Sequence, residues 1–288
     1  MAVNEENAKP WAAARGFGSR IGPDLGPRVA AAIVLGLAAA AAAWVGGFVF
    51  VAFWWIASVV ALWEWQRMVS ADRLNERVAA GALGVGVAAM FALHKSVLGS
   101  TGALLLTAGA VGWIAGPPAR IWAATGALYA GALVVGLGLL RASPHYGLAA
   151  IFWLFAVVWG ADIAAYFAGR LIGGPRLWPA VSPGKTWSGA LVGAFAGASF
   201  GLLLSGWSNR VDRLFWLGLA TAVVSELGDL FESALKRRFG IKDSSNLIPG
   251  HGGLMDRLDA FVAASVFAAL VATFNSNGSF IASGLFQW

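Results

Sequence analysis

Between Ser233 and Asp259 the chain sets five cations, Lys236, Arg237, Arg238, Lys242 and Arg257, among three acids, Asp243, Asp256 and Asp259. Just before them, Glu226, Asp229, Glu232, Ser233 and Lys236 recur at three- and four-residue spacing, so a helix would show them on one face. Asp256 and Asp259 stand three apart at the start of a further apolar run. Carboxylates so placed suit a hard cation such as Mg²⁺, which takes one or two protein carboxylates together with phosphate oxygens and water. The Lys and Arg residues suit phosphates, and His251-Gly252-Gly253 lets backbone N–H groups face an anion. This set fits phosphoryl-type transfer. Two plainer readings compete. Basic residues beside a membrane bind anionic lipid heads, and an acidic stripe can be a salt-bridge network that fixes helix packing. The first does not account for the interleaved Asp residues or the Gly-Gly pair, and three acids on one face exceed what the second needs.

A second polar stretch runs from Gly169 to Gly189, with Ser182, Lys185, Thr186 and Ser188 among glycines and prolines that forbid a continued helix. Lys185-Thr186 looks like the end of a phosphate-binding loop, but the glycine spacing and a preceding strand are both missing. A solvated, positively charged loop is the plain alternative. Asp162, with Tyr166 one turn on and Arg170 two turns on, lies inside an apolar run, where a carboxylate is costly and by default marks function. Glu64, beside Trp65 at the end of the second apolar run, is ambiguous between a functional acid and an interfacial residue paired with Arg67. The absence of Cys excludes disulfides, thiolate metal sites and a Cys nucleophile. No Ser-His-Asp order is convincing, and a zinc site lacks ligands.

These residues must be positioned by membrane helices. The chain is 59% hydrophobic and 12% charged, about half the charge of a soluble domain. Measured against the roughly 20 apolar residues a spanning helix needs, the sequence predicts an all-α polytopic membrane protein of about nine spans. They run Val29 to Val45, Phe48 to Val69, Val78 to His94, Val97 to Ala115, Arg120 to Leu140, Gly147 to Ala168, Ser188 to Trp207, Leu214 to Leu235 and Leu258 to Phe274. Only Gly46 and Gly47 separate the first two. The 38 Gly imply close helix contacts, and the 15 Trp suit the headgroup interface. With the N-terminus inside, sixteen Lys and Arg fall on inner segments and four on outer ones, and both polar stretches lie within. Residues 1–28 read as a cytoplasmic tail, largely disordered, without the apolar core of a cleavable signal. Residues 29–146 read as an N-terminal helical region and 147–288 as the catalytic region. The apolar tail from Phe280 to Trp288 is too short to span and is placed at the interface.

Ser233 to Asp259 resembles the signature of CDP-diacylglycerol synthases (phosphatidate cytidylyltransferases): Ser233, Leu235, Lys236, Arg237, Lys242, Asp243, Ser245, Pro249, His251, Gly252, Gly253, Asp256, Arg257 and Asp259 all match. Gly228-Asp229 with Glu232-Ser233, and Asp162 with Tyr166 and Gly169-Arg170, are also similar to the family. Ser182-Pro183-Gly184-Lys185-Thr186-Trp187-Ser188-Gly189 resembles its S-P-K-K-T-W-E-G, with Gly184 in place of Lys and Ser188 in place of Glu.

The resemblance implies CTP and phosphatidate giving CDP-diacylglycerol and pyrophosphate with Mg²⁺, one ion or two. It implies a multi-pass protein of the inner (plasma) membrane with its site on the cytoplasmic face. Asp229, Asp256, Lys242 and His251 become the catalytic set, and Asp229 and Asp256 the metal ligands, supported by Asp259 or Asp243. Lys236, Arg237, Lys242 and Arg257 would meet phosphates, Ser182, Lys185 and Thr186 would close over a substrate, and Gly252, Gly253, Asp162 and Tyr166 would complete the binding surface. His251 would orient the Gly-Gly turn or bond a phosphate. Acyl chains would lie in a lateral groove, among membrane lipids. No nucleic-acid partner is expected, and a homodimer stays open. Two rivals remain: a CTP-dependent lipid-alcohol kinase of the same superfamily, and a transporter with intramembrane acids.

Overall fold

The computed structural model describes residues 25–208, 210–247, 252–276 and 280–287. Among the described residues nine long helices follow one another: α1 (Leu25–Val45), α2 (Gly47–Val69), α3 (Leu74–Leu93), α4 (Val97–Ala115), α5 (Arg120–Arg141), α6 (Gly147–Leu171), α7 (Trp187–Gly201), α8 (Val211–Arg238) and α9 (Met255–Asn275). A 3₁₀ stretch, Leu202–Trp207, prolongs α7, and a single turn, α10 (Ser283–Phe286), ends the described chain. Eight of the helices are long and apolar enough to cross a membrane, and the apolar part of α1, Ala30–Val45, is shorter. The polytopic all-α architecture expected from the apolar runs is therefore present.

Small residues let the helices close on one another. Gly189, Gly193 and Gly197 recur every four residues along the side of α7 that faces α6. A Cβ on them would stand 2.9 Å from the Ala165 carbonyl oxygen, 2.9 Å from that of Ala161 and 2.7 Å from that of Val157. Gly228 does the same for the α8–α9 crossing, where a Cβ would meet the Asp259 carbonyl oxygen at 2.9 Å. That contact sets Asp229 beside the first turns of α9. The largest core draws residues from both sides of position 147, including Phe50, Val85, Leu133, Ile151 and Phe261.

The narrow break between α1 and α2 is made by Gly46 and Gly47, with φ of 71° and 51°, a region that costs a residue with a Cβ. Arg141 crosses it and donates from Nε to the Ala43 carbonyl at 2.7 Å, satisfying a helix-end acceptor near the membrane boundary.

Several expectations change. Charged end turns lengthen the spans, so α8 runs to Arg238 and α9 starts at Met255. The stretch after α6 holds a two-stranded antiparallel hairpin, β1 (Arg176–Trp178) and β2 (Ser182–Thr186). Trp65 and Trp153 are fully buried rather than interfacial, and Trp65 Nε1 donates to the Trp122 carbonyl at 2.8 Å. Arg77, counted as an inner-loop cation, is fully buried and bonds Gln66 Oε1 at 3.0 Å and the Ser70 carbonyl. The C-terminal apolar segment is also packed inward. Ile281, Leu285 and Phe286 are buried, and Ala282 N donates to Ser143 Oγ at 2.9 Å.

Candidate active site

The hairpin is the first positioning element. Lys185 and Thr186 are the last two residues of β2, where the sequence reading expected no strand, and β2 runs straight into α7. Thr186 is the N-cap of α7, its Oγ1 accepting from Gly189 N at 3.1 Å. Ser188 Oγ donates to the Gly173 carbonyl, and Arg237 Nε reaches the Val181 carbonyl at 3.4 Å, loosely tying the end of α8 to the hairpin. These contacts place Lys185 over the acidic face of α8. Its Nζ lies 2.7 Å from Glu226 Oε2 and 2.7 Å from Asp229 Oδ2. Burial pulls the Lys185 ammonium down, but Asp229 and Glu226 outweigh it and hold its pKa above the ordinary lysine value. The ion pairs are thus intact at neutral pH. The share of stability that comes from the raised lysine is full below the ordinary lysine value of about 10.4 and is lost as pH rises through the raised folded one.

Two turns beyond Asp229 on α8 a second lysine repeats the arrangement. Lys236 Nζ is 2.7 Å from Glu232 Oε2 and 2.7 Å from Asp256 Oδ1. Asp256 is engaged on every side: Oδ2 also accepts from Ser244 N at 3.0 Å, Ser244 Oγ at 3.0 Å and Gly253 N at 2.8 Å. The anion that the Gly-Gly pair faces is therefore the protein's own carboxylate. A Cβ on Gly253 would fall 1.9 Å from Ser244 Oγ and 2.5 Å from Glu64 Oε1, so the backbone can approach these groups only without a side chain.

Glu64, which the sequence left ambiguous, has partners that no sequence pattern shows. It is fully buried and does not pair with Arg67. Its carboxylate accepts from Leu254 N at 2.9 Å, Met255 N at 2.6 Å and Ser245 Oγ at 2.5 Å. An anion on the free N–H groups of a helix start is favourable, and here α2 supplies it to α9. Its sequence signal was a carboxylate in an apolar run, and its partners lie about 190 positions away.

Between these groups lies a cavity of about 890 Å³. Its wall carries Asp162, Glu226, Asp229, Asp256 and Asp259 with Arg170, Arg176, Lys185 and Arg257, and includes Tyr166 and Thr186. Tyr166 OH accepts from Arg170 Nη1 at 2.5 Å. An apolar groove of about 470 Å³ adjoins it, walled by α1, α2, α6 and α9 through residues such as Gly36, Ala57, Ile163 and Leu258. Ala32, Trp159, Asp162 and Arg257 line both spaces.

Of the expected site residues, Asp162, Tyr166, Lys185, Thr186, Asp229, Asp256, Arg257 and Asp259 meet at the polar chamber. Lys236 stands behind it through Asp256. Ser182 and Arg237 belong to the hairpin and its support, while Gly252 and Gly253 pack on Ser244, Glu64 and Asp256. Lys242 and Asp243 are exposed and not on the chamber wall. His251 lies outside the described residues. Among the described residues no three His, Cys, Asp or Glu side chains converge as a ready-made metal cage.

The profile of a family described as "Cytidylyltransferase family" matches residues 27–274. A phosphatidate cytidylyltransferase of Brucella suis biovar 1 (strain 1330) is 40% identical over 256 residues, covering 86% of this chain and 93% of that protein. One from Pseudomonas aeruginosa is 39% identical over 237 residues, covering 75% and 86%. One from Haemophilus influenzae is 43% identical over 145 residues, covering 48% and 50%.

Proposed function

The chain belongs to the cytidylyltransferase family, and from that premise we propose that it transfers the cytidylyl group of CTP to phosphatidate, leaving CDP-diacylglycerol in the membrane and releasing pyrophosphate. The observation that carries this reading is the continuity of the charged chamber with the apolar groove through Arg257, Asp162, Trp159 and Ala32. A nucleotide needs the first space and diacylglycerol the second, and the reaction needs both at one junction. Arg257 stands where a phosphate carrying two acyl chains would have to lie.

In the reaction a phosphate oxygen of phosphatidate attacks the α-phosphorus of CTP. A P–O bond forms there, and the bond to the oxygen bridging to the β-phosphorus breaks. The nucleophile is a phosphate monoester with a second pKa near 6, by analogy with phosphorylated side chains, so it is already an anion at neutral pH. No strong base is needed. The barrier is the approach of two polyanions, and the chain meets it with positioned charge. Arg257 faces the lipid side, and Lys185, Arg170 and Arg176 face the nucleotide side.

Mg²⁺ fits this site. It asks for only one or two carboxylates beside phosphate oxygens, and Glu226 and Asp229 already hold a positive charge between them, the Lys185 ammonium. Asp229 is the residue best placed to hold the ion, with Asp162 and Asp259 on the same wall. Bound there, the ion would neutralise and orient the triphosphate. Asp256 instead keeps the loop before α9 in place. The excess of Lys and Arg on the segments at the chamber end supports a cytoplasmic opening in the inner membrane of a bacterium.

In detergent, the purified protein should release pyrophosphate from CTP only when phosphatidate is added. Release from CTP alone, or none with both substrates present, would contradict the proposal.

A further inference from the structure

Lys185 is the one cation that joins the two acids of α8 facing the chamber in the described residues, at 2.7 Å from each. It comes from a different element, a hairpin fixed by the α7 cap at Thr186 and by Ser188 on the Gly173 carbonyl. Its side chain is 21% exposed, so the ammonium is on the chamber wall and not sealed behind it. The same oxygens are those a divalent cation would take, and two cations cannot share them without strong repulsion in a partly desolvated cavity. The triphosphate, by contrast, offers an ammonium a new anionic partner.

We propose that Lys185 is a built-in counter-ion that occupies the Asp229–Glu226 pair until the nucleotide's phosphates draw it off, so that the chamber takes up its divalent cation together with the nucleotide and not before it. This rests on reading the chamber as the site of cation and nucleotide. It goes further, because it fixes an order: cation and nucleotide reinforce each other, and by linkage each raises the affinity of the other equally. It also gives Glu226 a role. When Asp229 takes the cation, Glu226 keeps Lys185 within reach of the phosphates.

The test uses the full chain in detergent and Mn²⁺ as probe. Electron paramagnetic resonance measures binding of Mn²⁺ alone, and equilibrium dialysis measures labelled CTP with and without Mn²⁺. Wild type should bind Mn²⁺ alone weakly and hold CTP more tightly when Mn²⁺ is present. Lys185→Met should bind Mn²⁺ alone at least about five-fold more tightly. Arg176→Gln removes a chamber cation whose contact is the Gly184 carbonyl, and should change Mn²⁺ binding by no more than roughly two-fold, the size of a screened, non-contacting charge. Unchanged or weaker Mn²⁺ binding by Lys185→Met overturns the proposal, and so does equal tightening by Arg176→Gln. If no protein binds Mn²⁺, even with CTP, the site reading fails and the counter-ion role fails with it. A second measurement needs no variant. Saturating Mn²⁺ should raise the rate at which an amine-reactive reagent labels Lys185 in wild type, read by mass spectrometry against Lys95 and Lys242. An unchanged rate at Lys185 overturns the proposal even if Lys185→Met does not fold.

Discussion

At the scale of single residues, the site separates carboxylates that face the chamber from carboxylates that hold the wall. Asp229 belongs to the first kind. It has one lysine contact at 2.7 Å and a distant Ser233 hydroxyl at 3.4 Å. Replacing it by Asn removes a negative charge but keeps the shape, so turnover should fall by about 10² to 10³, the cost of losing one preorganised electrostatic group. Activity within a few-fold of wild type would remove Asp229 from the cation site. Glu64 belongs to the second kind. Glu64→Gln weakens several charge-assisted hydrogen bonds, each worth about 1.5–3 kcal/mol, and should lower the melting temperature in detergent together with activity. An unchanged melting temperature would mean that the start of α9 is held by other contacts. The acids of α8 and α9 were legible in the sequence because an ionisable group in an apolar run is costly. Glu64 announced its cost in the same way but not its partners, because Ser244, Ser245, Leu254 and Met255 reach it only through the fold.

At the scale of elements, the long helices were legible because run length measures a bilayer directly. Their inner ends were not, since the last turn of α8 carries Lys236, Arg237 and Arg238. The hairpin was hidden for another reason: five residues, Ser182–Thr186, are too few for an alternating pattern to emerge, and Pro183 argues against a strand. The many glycines forecast close packing but not its direction, which the four-residue stripe on α7 supplies. Gly193→Leu tests that stripe. A Cβ there would already sit 2.8 Å from Ala165 Cβ, with backbone close behind. Overpacking of this kind costs about 1–3 kcal/mol, so the variant should melt earlier in detergent. Because α6 carries Asp162 and α7 continues the Lys185 hairpin, activity should fall with it. A variant as stable and active as wild type would show that α6 and α7 need not meet this closely.

At the scale of the whole molecule, the arrangement matters more than any one group. Glu64 comes from the first half of the chain, Lys185 from the middle and Asp256 from the last helix, and the groove is roofed by α1. The apolar space beside the chamber, proposed to take the acyl chains, was outlined by no sequence pattern because the α1–α2 pair, α6 and α9 come from separate parts of the chain. Ala57 lines that groove but not the chamber. Ala57→Trp should therefore raise the KM for phosphatidate by roughly ten-fold or more, the loss of about 1.4 kcal/mol of lipid binding, and leave CTP binding unchanged. Equal effects on both substrates would mean that the groove does not hold the lipid.

Cytidylyl transfer makes a bond between phosphatidate and the α-phosphorus of CTP. It is tested most directly by giving the purified protein phosphatidate and CTP labelled either at the α- or at the γ-phosphorus, then extracting the lipid. Label should enter the lipid from α-labelled CTP and not from γ-labelled CTP. Label from the γ position alone would mark a lipid kinase, and label from neither would contradict the proposed transfer altogether.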